Sequence, residues 1–111
     1  MIDPVDVSPN LYRVLFENDR VRVLEYQDHP GDKTQPHDHP DSVMVTLSSF
    51  RRRLWAGERE VELELPAFQA RWLDAQQHAG MNIGQSDTHA VFIELKELAA
   101  ARVPGQALGP S

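Results

Sequence analysis

Residues 60–65, Glu-Val-Glu-Leu-Glu-Leu, alternate charged and apolar side chains without a break, and Pro66 follows them. Successive side chains of a strand point to opposite faces, so the valine and the two leucines share one face and the glutamates share the other. This alternation is typical of an antiparallel strand that has one face on a core and one in water. The segment therefore predicts a sheet that covers an apolar interior.

Other strand-like segments lie on both sides of this one and are separated by turn signals such as Pro30-Gly31 and Gly57. About eight or nine short strands at such regular spacing indicate an all-β sandwich or barrel. We expect one domain over residues 1–111, with its barrel core at about 11–96. A helical turn or two over 97–102 and a loose C-terminal tail over 103–111 complete the predicted organisation.

The composition narrows the possible partners and chemistry. Eleven basic residues against 17 acidic ones give a formal net charge of −6, which argues against nucleic acid as the main partner. The absence of cysteine excludes disulfides and sites built on thiolates. No apolar run approaches the roughly 20 residues that span a bilayer, and the first residues lack the pattern of a signal peptide. We therefore expect a cytoplasmic protein with no membrane partner.

The segment from Pro36 to Pro40 carries His37 and His39, and the prolines favour an extended backbone at a strand end. Two residues apart on a strand, the imidazoles share a face at a spacing of roughly 6–7 Å. Neutral imidazole is the commonest metal ligand among side chains. With His78 as a third ligand from a distant segment, the sequence predicts a metal site. The alternative is that His37 and His39 are surface histidines in a polar loop and bind no metal.

His89 and Arg52 are the candidate catalytic residues. His89 alternates with Val91 and Ile93, and if that face is the barrel interior it can act as an acid–base group or support a ligand. The alternative is a hydrogen-bonded histidine at the start of a strand. Arg52 lies two residues from both Phe50 and Leu54, so it shares their strand face. If these apolar side chains point into the barrel, Arg52 does too and can bind a substrate carboxylate. The alternative is a solvated strand face for the whole arginine run.

Several other side chains allow more than one interpretation. Asp41 can orient His39, add a carboxylate to the three histidine ligands, or simply serve a turn. His29 lies in the Pro-Gly loop and is expected in solvent. Four large apolar side chains can either line a pocket or fill the core: Met44, Trp55, Trp72 and Phe92.

The spacing of these histidines resembles that of the cupin superfamily. Gly31, five residues, and His37-Asp38-His39 follow the first cupin motif, and His78 with Asn82 fits the end of the second. The glutamate of the first motif falls on Val43 or Met44 and is missing here. The glycine, proline and glycine that open the second motif are also replaced, by Ala67, Leu73 and Ala75.

The wider pattern over residues 12–24 and 39–43 resembles the small single-domain cupins labelled beta-alanine-degradation proteins. That resemblance implies a cupin barrel, also called a double-stranded β-helix or jelly roll, that pairs as a homodimer. The label itself implies little about chemistry, because one barrel hosts many reactions.

Cupins with three histidines and no glutamate include thiol dioxygenases and diketone-cleaving dioxygenases. The resemblance therefore implies a divalent ion, with Fe2+ first and Zn2+, Mn2+ or Ni2+ as alternatives. The first functional hypothesis is an iron(II)-dependent dioxygenase for a small chelating organic acid or diketone, with an anionic substrate expected. A redox-neutral lyase, isomerase or hydrolase is the second hypothesis, and a module that binds metal and ligand without turnover is the third.

Overall fold

The computed structural model describes residues 1–96, and the segments expected at 97–102 and 103–111 lie outside the described residues. No helix within residues 1–96 has the length and apolar character to cross a membrane. The described elements are α1 (Pro4–Val7), β1 (Tyr12–Glu17), β2 (Val21–Asp28), β3 (His37–His39), β4 (Ser42–Thr46), β5 (Phe50–Ala56), β6 (Arg59–Leu65), β7 (Ala70–Leu73), β8 (Gln76–Asn82) and β9 (Thr88–Leu95).

The strands form two antiparallel sheets. The first has five strands in the order β1-β2-β9-β4-β7, and the second has four in the order β3-β8-β5-β6. Neighbours in both sheets are mostly distant in sequence, since β9 pairs with β2 and β4 while β8 pairs with β3 and β5. The predicted all-β barrel is therefore confirmed, and its closure brings segments from both ends of the chain around one interior.

The apolar core lies mainly against the five-stranded sheet. Its buried members are Tyr12, Leu24, Tyr26, Ala90 and Phe92. On β9 the buried positions alternate with half-buried ones. Ala90 and Phe92 therefore point inward, together with the polar residues Thr88 and Glu94. Burial of these side chains supplies the hydrophobic stabilisation that holds β2 and β9 at the centre of the sheet.

A left-handed turn leads the chain into β3. Gly31 has a φ of 89°, a conformation that side-chain-bearing residues rarely adopt. Gly31 then donates from its backbone N–H to the carbonyl of Asn82 at 2.9 Å, and Thr34 donates to the carbonyl of Gly80 at 2.8 Å. These bonds fix the loop against β8. The register of β3 and β8 follows, with His37 directly opposite His78.

The N-terminal segment packs over β3. Asp3 caps α1 by accepting from the N–H of Val5 at 2.9 Å, and Pro4 occupies the first turn. Ile2 donates to the Asp38 carboxylate at 2.6 Å, and the N–H of Asp38 donates back to the carbonyl of Ile2 at 2.7 Å. The Asp-Pro pair is a helix-start signal, but a helix of four residues has no periodic apolar pattern to reveal it.

Leu24 tests the core assignment, because it is fully buried at the centre of the β1-β2-β9 arrangement. Leu24→Ala should lower the free energy of unfolding by about 2–5 kcal/mol, since it removes buried methyl groups and leaves a cavity. Urea unfolding followed by circular dichroism measures the loss. Val61→Ala, at an exposed position on β6, is the control and should change stability by no more than about 0.5 kcal/mol. Equal losses in both variants would contradict the assignment.

Candidate metal centre

Three histidines converge at one end of the barrel interior. His37 and His39 project from β3 and His78 from β8, and one nitrogen of each ring lies within 4.8 Å of the others. The ring centroids are 4.7 Å apart for His37 and His39 and 5.0 Å apart for each pair that includes His78. His37 and His39 are buried and His78 is half-buried. The predicted convergence of the two distant segments is confirmed, and together the three side chains could hold a metal ion.

Hydrogen bonds fix which nitrogen of each ring is free. In every ring Nδ1 faces an oxygen that can only accept: His37 Nδ1 lies 2.6 Å from the Gln35 carbonyl, His39 Nδ1 lies 3.2 Å from Glu94 Oε2, and His78 Nδ1 lies 2.9 Å from Gln76 Oε1. Because these oxygens need a donor, each Nδ1 carries the proton. Each Nε2 is then left with its lone pair, which is the arrangement expected of metal-binding histidines.

The free nitrogens fit a cation. Nε2 of His37 and Nε2 of His39 are 3.0 Å apart. With both protons on Nδ1, two lone pairs face each other at this distance, and a shared positive ion relieves their repulsion. Burial lowers the pKa of His37 to about 4 and that of His78 to about 3, so both rings are neutral near pH 7. Neutral imidazole is the form that binds metals.

Glu94 orients His39, and sequence reasoning missed it. Its carboxylate accepts from His39 Nδ1 on one oxygen and from Arg22 Nε at 2.8 Å on the other. Burial alone would raise the pKa of Glu94, but the bonds from His39 and Arg22 hold it below its usual value. Arg22 also binds Asp3 at 2.7 Å, so the cap of α1 is tied through two ion pairs to a candidate ligand.

A cavity of about 90 Å³ lies beside the histidines. His37 and His78 line it together with Tyr12, Arg52 and the apolar side chains of both sheets. Ligand pockets for drug-sized molecules are larger, roughly 300–1,000 Å³, so this one suits a small molecule. Phe92 stacks on His39 at 5.3 Å between centroids, with the planes 18° apart, and closes the cavity on that side.

Arg52 faces the interior, as its parity predicts. The side chain is buried and lines the cavity, where its Nη1 donates to the carboxylate of Asp28 and to the hydroxyl of Thr88. A Cβ added at Gly80 would lie 2.9 Å from Arg52 Nη2, so the absence of a side chain there makes room for the guanidinium. Its role as a carboxylate clamp stays a prediction.

His89 lies outside the barrel, so the condition for its catalytic role, a side chain that faces the interior, is not met. The inward face of β9 is the one with Ala90 and Phe92, and His89 is on the other face. Its Nε2 contacts Glu25 Oε2 at 2.9 Å, and the side chain is 30% exposed. The alternative interpretation, a hydrogen-bonded histidine at a strand start, is the correct one. His89 therefore cannot move a proton at the metal centre.

Of the remaining candidate residues, some line the cavity and others have only structural contacts. Asp41 lies between β3 and β4 and accepts from the N–H of Ala75, between β7 and β8, at 2.9 Å, and Glu94 fills the place beside His39. His29 is exposed, as expected, and binds Asp87 at 2.9 Å. Among the large apolar side chains, Met44 and Phe92 line the cavity, whereas Trp72 is 53% exposed and Trp55 lies under the ammonium of Lys33.

No protein-family model and no curated protein matches this chain. Among solved structures, it is similar to a cupin domain from Bordetella pertussis Tohama I, with 27% identity over 78% of this chain and 92% of that one and a TM-score of 0.72. A double-stranded β-helix protein from Klebsiella pneumoniae matches with 22% identity, 81% and 79% coverage and a TM-score of 0.63.

The polyketide cyclase RemF from Streptomyces resistomycificus matches with 17% identity, 78% coverage of this chain and 64% of that one, and a TM-score of 0.59. Together these likenesses show that the chain has the cupin double-stranded β-helix fold. Its resemblance to the beta-alanine-degradation type stays a prediction.

Glu94→Gln tests whether the carboxylate supports the ligand set. We expect metal affinity to fall by roughly 10–100-fold, because the variant loses the charge that holds His39 in its ligand orientation. Competition between the protein and a chromophoric chelator for Zn2+ measures the affinity. Glu25→Gln is the matched control, since Glu25 contacts a histidine on the outer face. If both variants keep the wild-type affinity, Glu94 has no part in the site.

Proposed function

We propose that this chain is a mononuclear metal-binding cupin, and specifically an iron(II)-dependent dioxygenase for a small anionic, chelating organic acid or diketone. The observation that carries the proposal is the presence of three imidazoles whose protonated Nδ1 atoms are held by acceptors and whose Nε2 atoms face one point. His37, His39 and His78 would hold the ion. When bound, iron(II) would offer about three open octahedral positions to an anionic chelate and dioxygen.

The charges around the cavity favour an anionic substrate. Arg52 is paired with Asp28 and Arg22 with Glu94, so each buried pair is close to neutral by itself. The histidines add no negative charge, and the position of the usual cupin glutamate falls on the apolar Val43 or Met44. A divalent ion held there keeps its full charge, which a chelating anion can neutralise.

The choice of oxygen chemistry over the redox-neutral alternative rests on the absence of a free base. Among the described residues that line the cavity, both tyrosines have a pKa raised by burial, which makes them poor bases near neutral pH. The Asp28 carboxylate, behind Arg52, is saturated by hydrogen bonds from Tyr26, Arg52, Asn82 and Thr88. His89 is outside. A lyase or isomerase would therefore have no side chain along the cavity ready to accept a proton, although the similar structure RemF carries the name of a cyclase.

Metal analysis and oxygen uptake test the proposal. Protein purified without a metal-chelating tag should contain close to one equivalent of metal, and protein loaded with Fe2+ should consume oxygen with some member of a panel of small hydroxy acids, thiol acids and β-diketones. His78→Ala should lose both properties, because it removes one of three ligands. His29→Ala removes an exposed imidazole and should lose neither.

The outcomes separate the three hypotheses. Iron with stoichiometric oxygen uptake supports the dioxygenase. Turnover of a substrate by the zinc form without oxygen would favour the redox-neutral enzyme. Tight binding of an anion by the metal form, with no product in either condition, would favour a binding module. Metal retained in full by His78→Ala would contradict the whole proposal.

We also propose a homodimer in which a second copy covers the exposed part of β1. Val14, Leu15 and Phe16 are 41%, 46% and 49% exposed and lie on an edge strand. A bulge between Val14 and Phe16 interrupts the ladder, so we expect side-chain packing about a two-fold axis near Leu15 instead of a continuous sheet. With the axis at Leu15, Arg13 of one copy, paired within its protomer with Glu25, would approach Glu17 of the other copy, which is paired with Lys96.

Phe16→Glu should convert the dimer to a monomer, because it places a charge in the apolar part of this surface. Sedimentation velocity over a range of protein concentrations measures the change. Val61→Glu, at an equally exposed apolar position on β6, is the matched control and should leave the dimer intact. A wild-type monomer at every concentration, or loss of the dimer only in the control, would contradict the assignment.

A further inference from the structure

The Tyr12 hydroxyl lies beside the candidate metal centre with a single acceptor. Tyr12 is on β1 and is 6% exposed. Its hydroxyl oxygen is 3.4 Å from His37 Nε2, and within residues 1–96 it makes no other hydrogen bond. Since His37 Nδ1 carries its proton, Nε2 is the acceptor and the hydroxyl is the donor.

A metal ion would compete with Tyr12 for that acceptor. A neutral imidazole has one free lone pair, and an ion bound at Nε2 uses it. The hydroxyl would then be a buried donor without a partner, which is an unfavourable state. A new acceptor must be close by, because the direction of the O–H bond can change easily while the position of the ring cannot.

Aromatic contacts on three sides hold the Tyr12 ring in place. The Tyr12 centroid is 4.8 Å from Tyr26, 5.7 Å from His37 and 6.3 Å from Phe92. Swinging the ring away would break this packing, so the hydroxyl stays next to the metal ligand. A ligand in the cavity that Tyr12, His37 and His78 line could supply that acceptor.

We propose that Tyr12 is a positioning residue that donates a hydrogen bond to the anionic group occupying the open metal position beside His37. The inference rests on the proposed metal site and deepens it, because it selects ligands whose coordinating atom keeps a lone pair for the phenol. Carboxylates, enolates and hydroxide meet this requirement, as does the probe azide. Tyr26 cannot serve in the same way, since its hydroxyl already donates to Asp28.

Azide binding to the cobalt(II)-loaded protein tests the inference with a spectroscopic readout. Cobalt(II) gives visible absorption bands that change when an anion enters its coordination sphere, so a titration yields the azide Kd. Tyr12→Phe should bind cobalt at the same stoichiometry and bind azide roughly ten-fold more weakly, the effect of losing one hydrogen bond to a charged group. Trp72→Phe, which removes an exposed N–H donor outside the cavity, is the control and should keep the wild-type azide affinity.

The possible failures are distinguishable. If the wild-type protein binds no cobalt, the metal site itself is wrong and the inference falls with it. If cobalt binds but Tyr12→Phe has the wild-type azide affinity, only the role of Tyr12 is overturned. Should Tyr12→Phe fold poorly, incorporation of 3-fluorotyrosine at position 12 keeps the ring and gives a stronger donor. Azide should then bind more tightly, and unchanged or weaker binding would overturn the inference.

Discussion

The orientation of the three imidazoles is the constraint on which the account of this molecule depends. A histidine can present either nitrogen, and here an acceptor on each Nδ1 removes that choice. The acceptors come from different parts of the chain: a loop carbonyl before β3, an amide on β8 and a carboxylate on β9. The barrel must therefore close correctly before the three Nε2 atoms can face one point. Both the cavity chemistry and the role of Tyr12 follow from that closure.

Much of the fold and the ligand set can be predicted from the sequence, because both depend on local patterns. Alternation of apolar and polar residues is a direct consequence of the strand geometry, and it locates most of the strands to within a few residues. The His37 and His39 pair and its distant partner His78 follow from motif spacing. Arg52 follows from parity within a strand whose inward neighbours, Phe50 and Leu54, are apolar.

What the sequence could not provide depends on which face points inward and on contacts between distant strands. Both faces of β9 carry apolar side chains, so alternation shows that His89 and Ala90 lie on opposite faces but not which face points inward. The same ambiguity hid Glu94, whose parity with Ala90 and Phe92 marks it as inward only after the face is known. Its partner His39 is 55 positions away in sequence, and nothing local pairs them.

Anomalous scattering from a crystal of the protein grown with Fe2+ or Zn2+ shows whether the three imidazoles bind one ion. We expect one strong peak at the absorption edge of the ion, roughly 2.0–2.2 Å from the Nε2 atoms of His37, His39 and His78. The acceptors on the three Nδ1 atoms should be retained around it. Separated imidazoles with no peak between them, or an ion bound only elsewhere on the molecule, would contradict the account.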